Sequence, residues 1–163
     1  ITMVTQCGGV ARIVGGLELA IWCDLRVVEK DAIFGVFCRR YGIPLIDGGT
    51  VRLPRLIGQS RALDMILTGR PVFAQEAYEW GLANRIVEKG KSREEAEQLA
   101  KKIAKFPQVC MRNDRFSTYE QFGLELQVAL ANEFEHGITT LEHGEYLEGS
   151  KNFTKDEGKH GEF

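Results

Sequence analysis

Gly15-Gly16-Leu17-Glu18-Leu19-Ala20-Ile21-Trp22-Cys23-Asp24 joins a glycine pair, an apolar run and one acidic residue in a short stretch. The glycines open a short helix over Leu17–Cys23, and Leu25–Val28 beyond it reads as a short strand. Ile33-Phe34 is a second strand fragment, reached through the charged turn Glu29-Lys30-Asp31. Further on, the pattern predicts a helix over 49–56 interrupted by Pro54, one over 61–67 with Ser60 as N-cap, and one over 74–80 stopped by Gly81. Gly58 and Gly69 mark the ends of the first two. Short strands alternate with short helices, which makes the fold class α/β.

Near Val87 the texture changes from glycine-rich to rich in Glu and Lys, so two regions are expected, residues 1–87 and 88–163. Ser92 and Glu95 form the S-x-x-E pattern of a capping box, in which each side chain satisfies a backbone N–H at the other end. Ala96, Leu99, Ala100, Ile103 and Ala104 follow at helical spacing, and Pro107 lies past the end. From Asp114 to about Leu141, Phe116, Tyr119, Leu126, Val128, Leu130 and Phe134 indicate one or two more helices, with breaks at Gly123 and Gly137.

The chain has 163 residues, 44% of them apolar and 27% charged, and a formal net charge of −2. This is ordinary for one folded domain and excludes collagen-like or disordered classes. A near-neutral balance argues against a surface built to neutralise nucleic-acid phosphates. No apolar run approaches the ~20 residues a membrane helix needs. Cys7, Cys23, Cys38 and Cys110 are irregularly spaced, without the C-x-x-C of a zinc or dithiol site, and His136, His143 and His160 show no metal-type spacing. These features point to a reducing intracellular compartment, cytoplasmic or mitochondrial matrix, and to no metal. Asn152-Phe153-Thr154 matches a glycosylation sequon, which the cysteine usage discounts. Gly8-Gly9 and Gly15-Gly16 lack the spacing of a dinucleotide-binding loop. The chain begins at Ile1, and a missing upstream segment is expected.

Taken in order, Gly15-Gly16-Leu17-Glu18-Leu19-Ala20, Cys23-Asp24, Phe34-Gly35, Gly48-Gly49-Thr50, Arg52-Leu53, Gly58, Leu67-Thr68-Gly69, Ala74, Glu76-Ala77 and Gly81-Leu82 resemble the crotonase (enoyl-CoA hydratase/isomerase) superfamily. The tail matches more loosely, through Glu148-Gly149 and Phe153. The resemblance implies the C-terminal part of a member: a partial spiral of strand–strand–helix turns, then a helical region that packs subunits into homotrimers, often paired as hexamers. It also implies an acyl-CoA substrate. Coenzyme A enters as part of that substrate, and no tightly bound cofactor is expected.

The family's shared chemistry is stabilisation of a thioester enolate by two backbone N–H groups, which act because they are aimed at charge that develops in the transition state. Gly15 matches one donor, at the head of the short helix, where glycine permits close backbone approach; the other belongs to a segment upstream of this sequence. Glu18 matches one of two hydratase carboxylates and would act as acid/base. The position of the second carboxylate holds Cys38, whose thiol, with an ordinary pKa near ~8.5, does not replace it at neutral pH. Asp47, before Gly48-Gly49-Thr50, either supplies the missing carboxylate or N-caps the helix that follows. Arg39-Arg40 and the tail lysines Lys151, Lys155 and Lys159 either meet coenzyme A phosphates or are solvated surface charge. Trp22 and Trp80 read as packing residues.

Two functions compete. One is an enzyme of acyl-CoA metabolism using Glu18 and the Gly15 amide. The other is a catalytically impaired protein that keeps the scaffold for a structural or binding role, argued from Cys38 and the absent front half.

Overall fold

The structure, a computed structural model, describes residues 4–7 (backbone only), 16–147 and 149–150. It divides into two compact units, residues 2–101 and 102–163.

In the first unit a parallel sheet runs in the order β1-β2-β5, from Val4–Cys7, Leu25–Glu29 and Arg85–Val87. Val27 pairs with Gln6 on one side and Arg85 on the other. A central parallel strand is covered on both faces, which is why adjacent Val27 and Val28 are both fully buried instead of alternating. A two-stranded antiparallel sheet joins β3 (Ile33–Phe34) to β4 (Val72–Phe73). Around the sheets run α1 (Gly16–Trp22), a 3₁₀ segment (Phe37–Tyr41), α2 (Gly49–Ile57), α3 (Gln59–Thr68) and α4 (Ala74–Glu79). After them comes α5 (Ser92–Ala104), which ends past the unit's boundary. Leu17, Ile21, Phe34, Val36, Leu53, Met65, Val72 and Leu82 form the core. Arg26 is buried within it, its guanidinium donating to the carbonyls of Leu82 (2.5 Å) and Cys23 (2.6 Å), so that its charge does not strand unpaired N–H groups.

Three local expectations are corrected. Pro54 does not interrupt α2, which continues to Ile57; the carbonyl left without a helical donor belongs to Thr50, an exposed residue, so the missing bond is not a buried one. Ser60 is not a cap, because α3 begins earlier, at Gln59 after Gly58. The capping box at α5 does not form: Ser92 is buried and its hydroxyl donates to Glu29 Oε1 of β2 (2.8 Å), while Glu95 faces Arg85.

The second unit contains α6 (Gln108–Glu120) and α7 (Leu126–His143). Gly123, at φ +86°, lies in the connection between them, and Gly137 continues α7 without a break. Polar side chains link the two helices, beside the Phe116 ring stacked on His136. Asn113 Nδ2 donates to Thr140 Oγ1 (2.9 Å), and Glu120 Oε2 bonds Asn132 Nδ2 (3.0 Å) and His136 Nε2 (2.8 Å). Leu126, Leu130 and Phe134 are exposed instead, and neither helix buries a residue.

Candidate active site

α1 is only 7 residues long and presents Glu18 and Trp22, one helical turn apart, along one side. Glu18 is 2% exposed. A buried carboxylate needs donors, and here they are main-chain amides: Glu18 Oε1 accepts from Gly49 N–H at 2.8 Å and from Asp47 N–H at 3.0 Å. Both bonds fall on one carboxylate oxygen.

The turn that supplies the amides is shaped by glycine. Gly48 has φ +91°, a left-handed conformation that favours glycine, and caps α2 without any side-chain bond. Gly49 is buried against Glu18, where an added Cβ would lie 2.7 Å from Oε1. Trp22 holds the same turn from the other side: its Nε1–H donates to the Asp47 carbonyl at 2.6 Å, and the Arg52 guanidinium lies over its ring at 3.9 Å. Reading Trp22 as a packing residue missed this. The available signal was its four-residue offset from Glu18.

Of the residues singled out from sequence, Glu18 and the Asp47 backbone are therefore brought together. Asp47 does not N-cap α2 with its side chain, since Gly48 occupies that position, and its carboxylate sits on an exposed residue. Cys38 is buried in the hydrophobic core. Arg39 donates through Nε to the Ile66 carbonyl (3.0 Å) and Arg40 through Nη2 to the Gly69 carbonyl (3.1 Å), so both tie the 3₁₀ segment to the end of α3. Gly15, Lys151 and Lys155 lie outside the described residues. Among the described residues no cluster of three His, Cys, Asp or Glu is placed to hold a metal ion, and no helix is long and apolar enough to cross a membrane.

This arrangement of a glycine-opened short helix, a buried glutamate and a glycine turn coincides with a family match. The enoyl-CoA hydratase/isomerase family model matches residues 2–159. The chain belongs to that family. Among members of the enoyl-CoA hydratase/isomerase family, the short-chain-enoyl-CoA hydratase of Clostridioides difficile is 46% identical over 127 residues, covering 78% of this chain and 81% of the relative. A Bacillus subtilis (strain 168) relative is 37% identical over 139 residues, 82% of this chain and 53% of its own length. The crystal structure of enoyl-CoA hydratase subunit I from Geobacillus kaustophilus HTA426 superposes with a TM-score of 0.88 at 31% identity, covering 95% of this chain and 60% of that one. The fold is thus the family's crotonase fold in part, as the ordered glycine motifs implied. The chain spans little more than half of the Bacillus relative and about 60% of the Geobacillus structure.

Proposed function

We propose that this chain carries the acid/base half of an enoyl-CoA hydratase/isomerase site, acting on acyl-CoA thioesters by way of an enolate. The observation that carries the reading is the Glu18 carboxylate, buried and fixed through Oε1 by the amides of Asp47 and Gly49. A carboxylate held through one oxygen keeps the other for proton exchange with the substrate's α-carbon or with water, at a geometry set before the substrate arrives. Gly15 serves as one oxyanion donor by its match to the family pattern; the second donor comes from the part of the fold that relatives have upstream. Asp47 supplies the second carboxylate in place of Cys38, and Lys151 and Lys155 meet the coenzyme A phosphates.

The same reading includes a homotrimer, or a hexamer of paired trimers. α6 and α7 share polar contacts while Leu126, Leu130 and Phe134 stay exposed, apolar surface that costs free energy in water unless another surface covers it.

The test is a panel of acyl-CoA thioesters, including crotonyl-CoA, with purified protein. Hydration, double-bond shift or decarboxylation of any member, together with thermal stabilisation by coenzyme A thioesters, is expected. No turnover combined with thioester stabilisation favours the scaffold role argued from Cys38; neither turnover nor stabilisation rejects acyl-CoA recognition by this chain.

A further inference from the structure

Both main-chain polar groups of Asp47 are held by one helix. Its N–H is taken by Glu18 Oε1 (3.0 Å) and its carbonyl by Trp22 Nε1–H (2.6 Å), from residues one turn apart on α1. The glutamate bond alone orients the carboxylate no better than the turn itself is oriented. That turn passes through left-handed Gly48, and glycine makes it compliant. The indole bond removes this freedom, because the Trp22 ring is itself held by the Arg52 guanidinium stacked at 3.9 Å. Arg52 in turn is anchored on the first turn of α2, where its amide donates to the Gly48 carbonyl at 2.8 Å. The chain of contacts closes on itself: Glu18, Asp47, Trp22, Arg52, Gly48, Gly49 and back to Glu18.

We propose that Trp22 is a positioning residue, which with Arg52 latches the 47–49 turn so that its two amides hold the Glu18 carboxylate in a single orientation for proton transfer. The proposal rests on the reading of Glu18 given above. Trp22 is about half exposed, so burial alone does not account for a large aromatic ring whose N–H is committed to this particular carbonyl. The latch acts through Glu18 and does not touch the substrate, so it is expected to govern the rate of the proton-transfer step and not the affinity for the thioester.

The test uses the full chain with Trp22→Phe, which keeps a ring beneath Arg52 and removes the N–H, and Arg52→Gln, which keeps the backbone anchor and removes the stacked cation. Hydrogen exchange is followed by mass spectrometry on peptides spanning the 47–49 turn and, as control, on β2. Exchange at the turn is expected to accelerate about tenfold or more in Trp22→Phe and in the same direction in Arg52→Gln, with β2 unchanged. On whichever thioester the wild-type chain turns over, kcat is expected to fall about tenfold or more, with KM within about twofold. Unchanged exchange at the turn overturns the latch, as does a loss carried by KM alone. If Trp22→Phe loosens β2 as well, Arg52→Gln decides by the same criteria. Should the wild-type chain turn over nothing, which the upstream oxyanion donor alone would explain, the exchange result by itself decides whether Trp22 holds the turn, and Glu18→Gln is judged by thioester-induced thermal stabilisation.

Discussion

The Gly49 amide lies 2.8 Å from Glu18 Oε1, and a Cβ added at Gly49 would lie 2.7 Å from the same oxygen. The bond and the absent side chain are one requirement: the carboxylate approaches the main chain more closely than any alanine allows. Gly49→Ala is therefore expected to push Glu18 aside and to lower stability by about 1–2 kcal/mol despite alanine's better helix propensity, because overpacking costs about 1–3 kcal/mol and the propensity gain is at most about 1. Urea denaturation checks this, and an unchanged midpoint contradicts it.

Glu18 carries two separable roles, and two substitutions divide them. In Glu18→Gln the amide oxygen still accepts from Asp47 and Gly49, so thermal unfolding is expected within a few degrees of wild type, while turnover falls about 10²–10⁴-fold for want of an exchangeable proton. Glu18→Leu leaves the buried Gly49 amide without a partner, at about 1–3 kcal/mol, and frees the part-buried Asp47 amide, so it is expected to lower the melting temperature sharply. Equal melting temperatures for the two variants would contradict the account of the site.

Ser92 Oγ donates to Glu29 Oε1 at 2.8 Å, both residues being buried. A hydrogen bond to a charged group contributes about 1.5–3 kcal/mol, against about 1 for an N-cap. Ser92→Ala is expected to cost about 2 kcal/mol in urea denaturation. In a double-mutant cycle with Glu29→Gln the two changes should couple by at least about 0.5 kcal/mol, and strict additivity would show that the contact contributes nothing.

Arg70 binds Asp64 (2.6 Å) and Glu76 (2.7 Å), and its bonds to Glu76 hold that carboxyl below its ordinary value of 4.5. In the second unit, His136 and then Asn132 lower Glu120 in the same way. A carboxyl with a depressed folded pKa adds stability that is present above about 4.5, its unfolded value, and is lost as pH falls through the lower folded value. Stability measured by urea should therefore fall as the pH drops below about 4.5, and Arg70→Met should flatten the share contributed by Glu76. A carbon-13 titration of Glu76 that stays depressed in Arg70→Met would contradict this assignment.

Phe134 is 64% exposed on α7, with Leu126 at 65% on the same helix. Sedimentation velocity at micromolar concentration is expected to show a trimer or hexamer, and Phe134→Glu is expected to shift it toward monomer, since a carboxylate at a buried contact lacks a partner. A monomeric wild-type chain would contradict the proposed assembly.

The α/β character and most short elements were legible because they are local. Glycines that need left-handed or close-packed backbone punctuate the chain at Gly48, Gly58, Gly69 and Gly81, and apolar runs between them give strands and helices their bounds. Glu18 stood out through the same glycine-flanked motif. Polar side chains with long-range partners were misread: Ser92 resembled a cap because its local pattern is one, and nothing near it in sequence shows Glu29 waiting across the fold. Pro54 was read as a break because a helix interior normally needs its N–H.

The order of the glycine motifs, and with it membership of the enoyl-CoA hydratase/isomerase family, was written in the chain itself, since close backbone approaches demand glycine at fixed intervals along it. Tertiary structure alone decided that Trp22 grips the Asp47 carbonyl, that Asp47 and Gly49 donate to Glu18, and that Ser92 serves Glu29. Each of these is a hydrogen bond between groups about 25 to 63 positions apart, and a donor's choice among distant acceptors is made only when packing brings one within 3 Å and takes water from the rest.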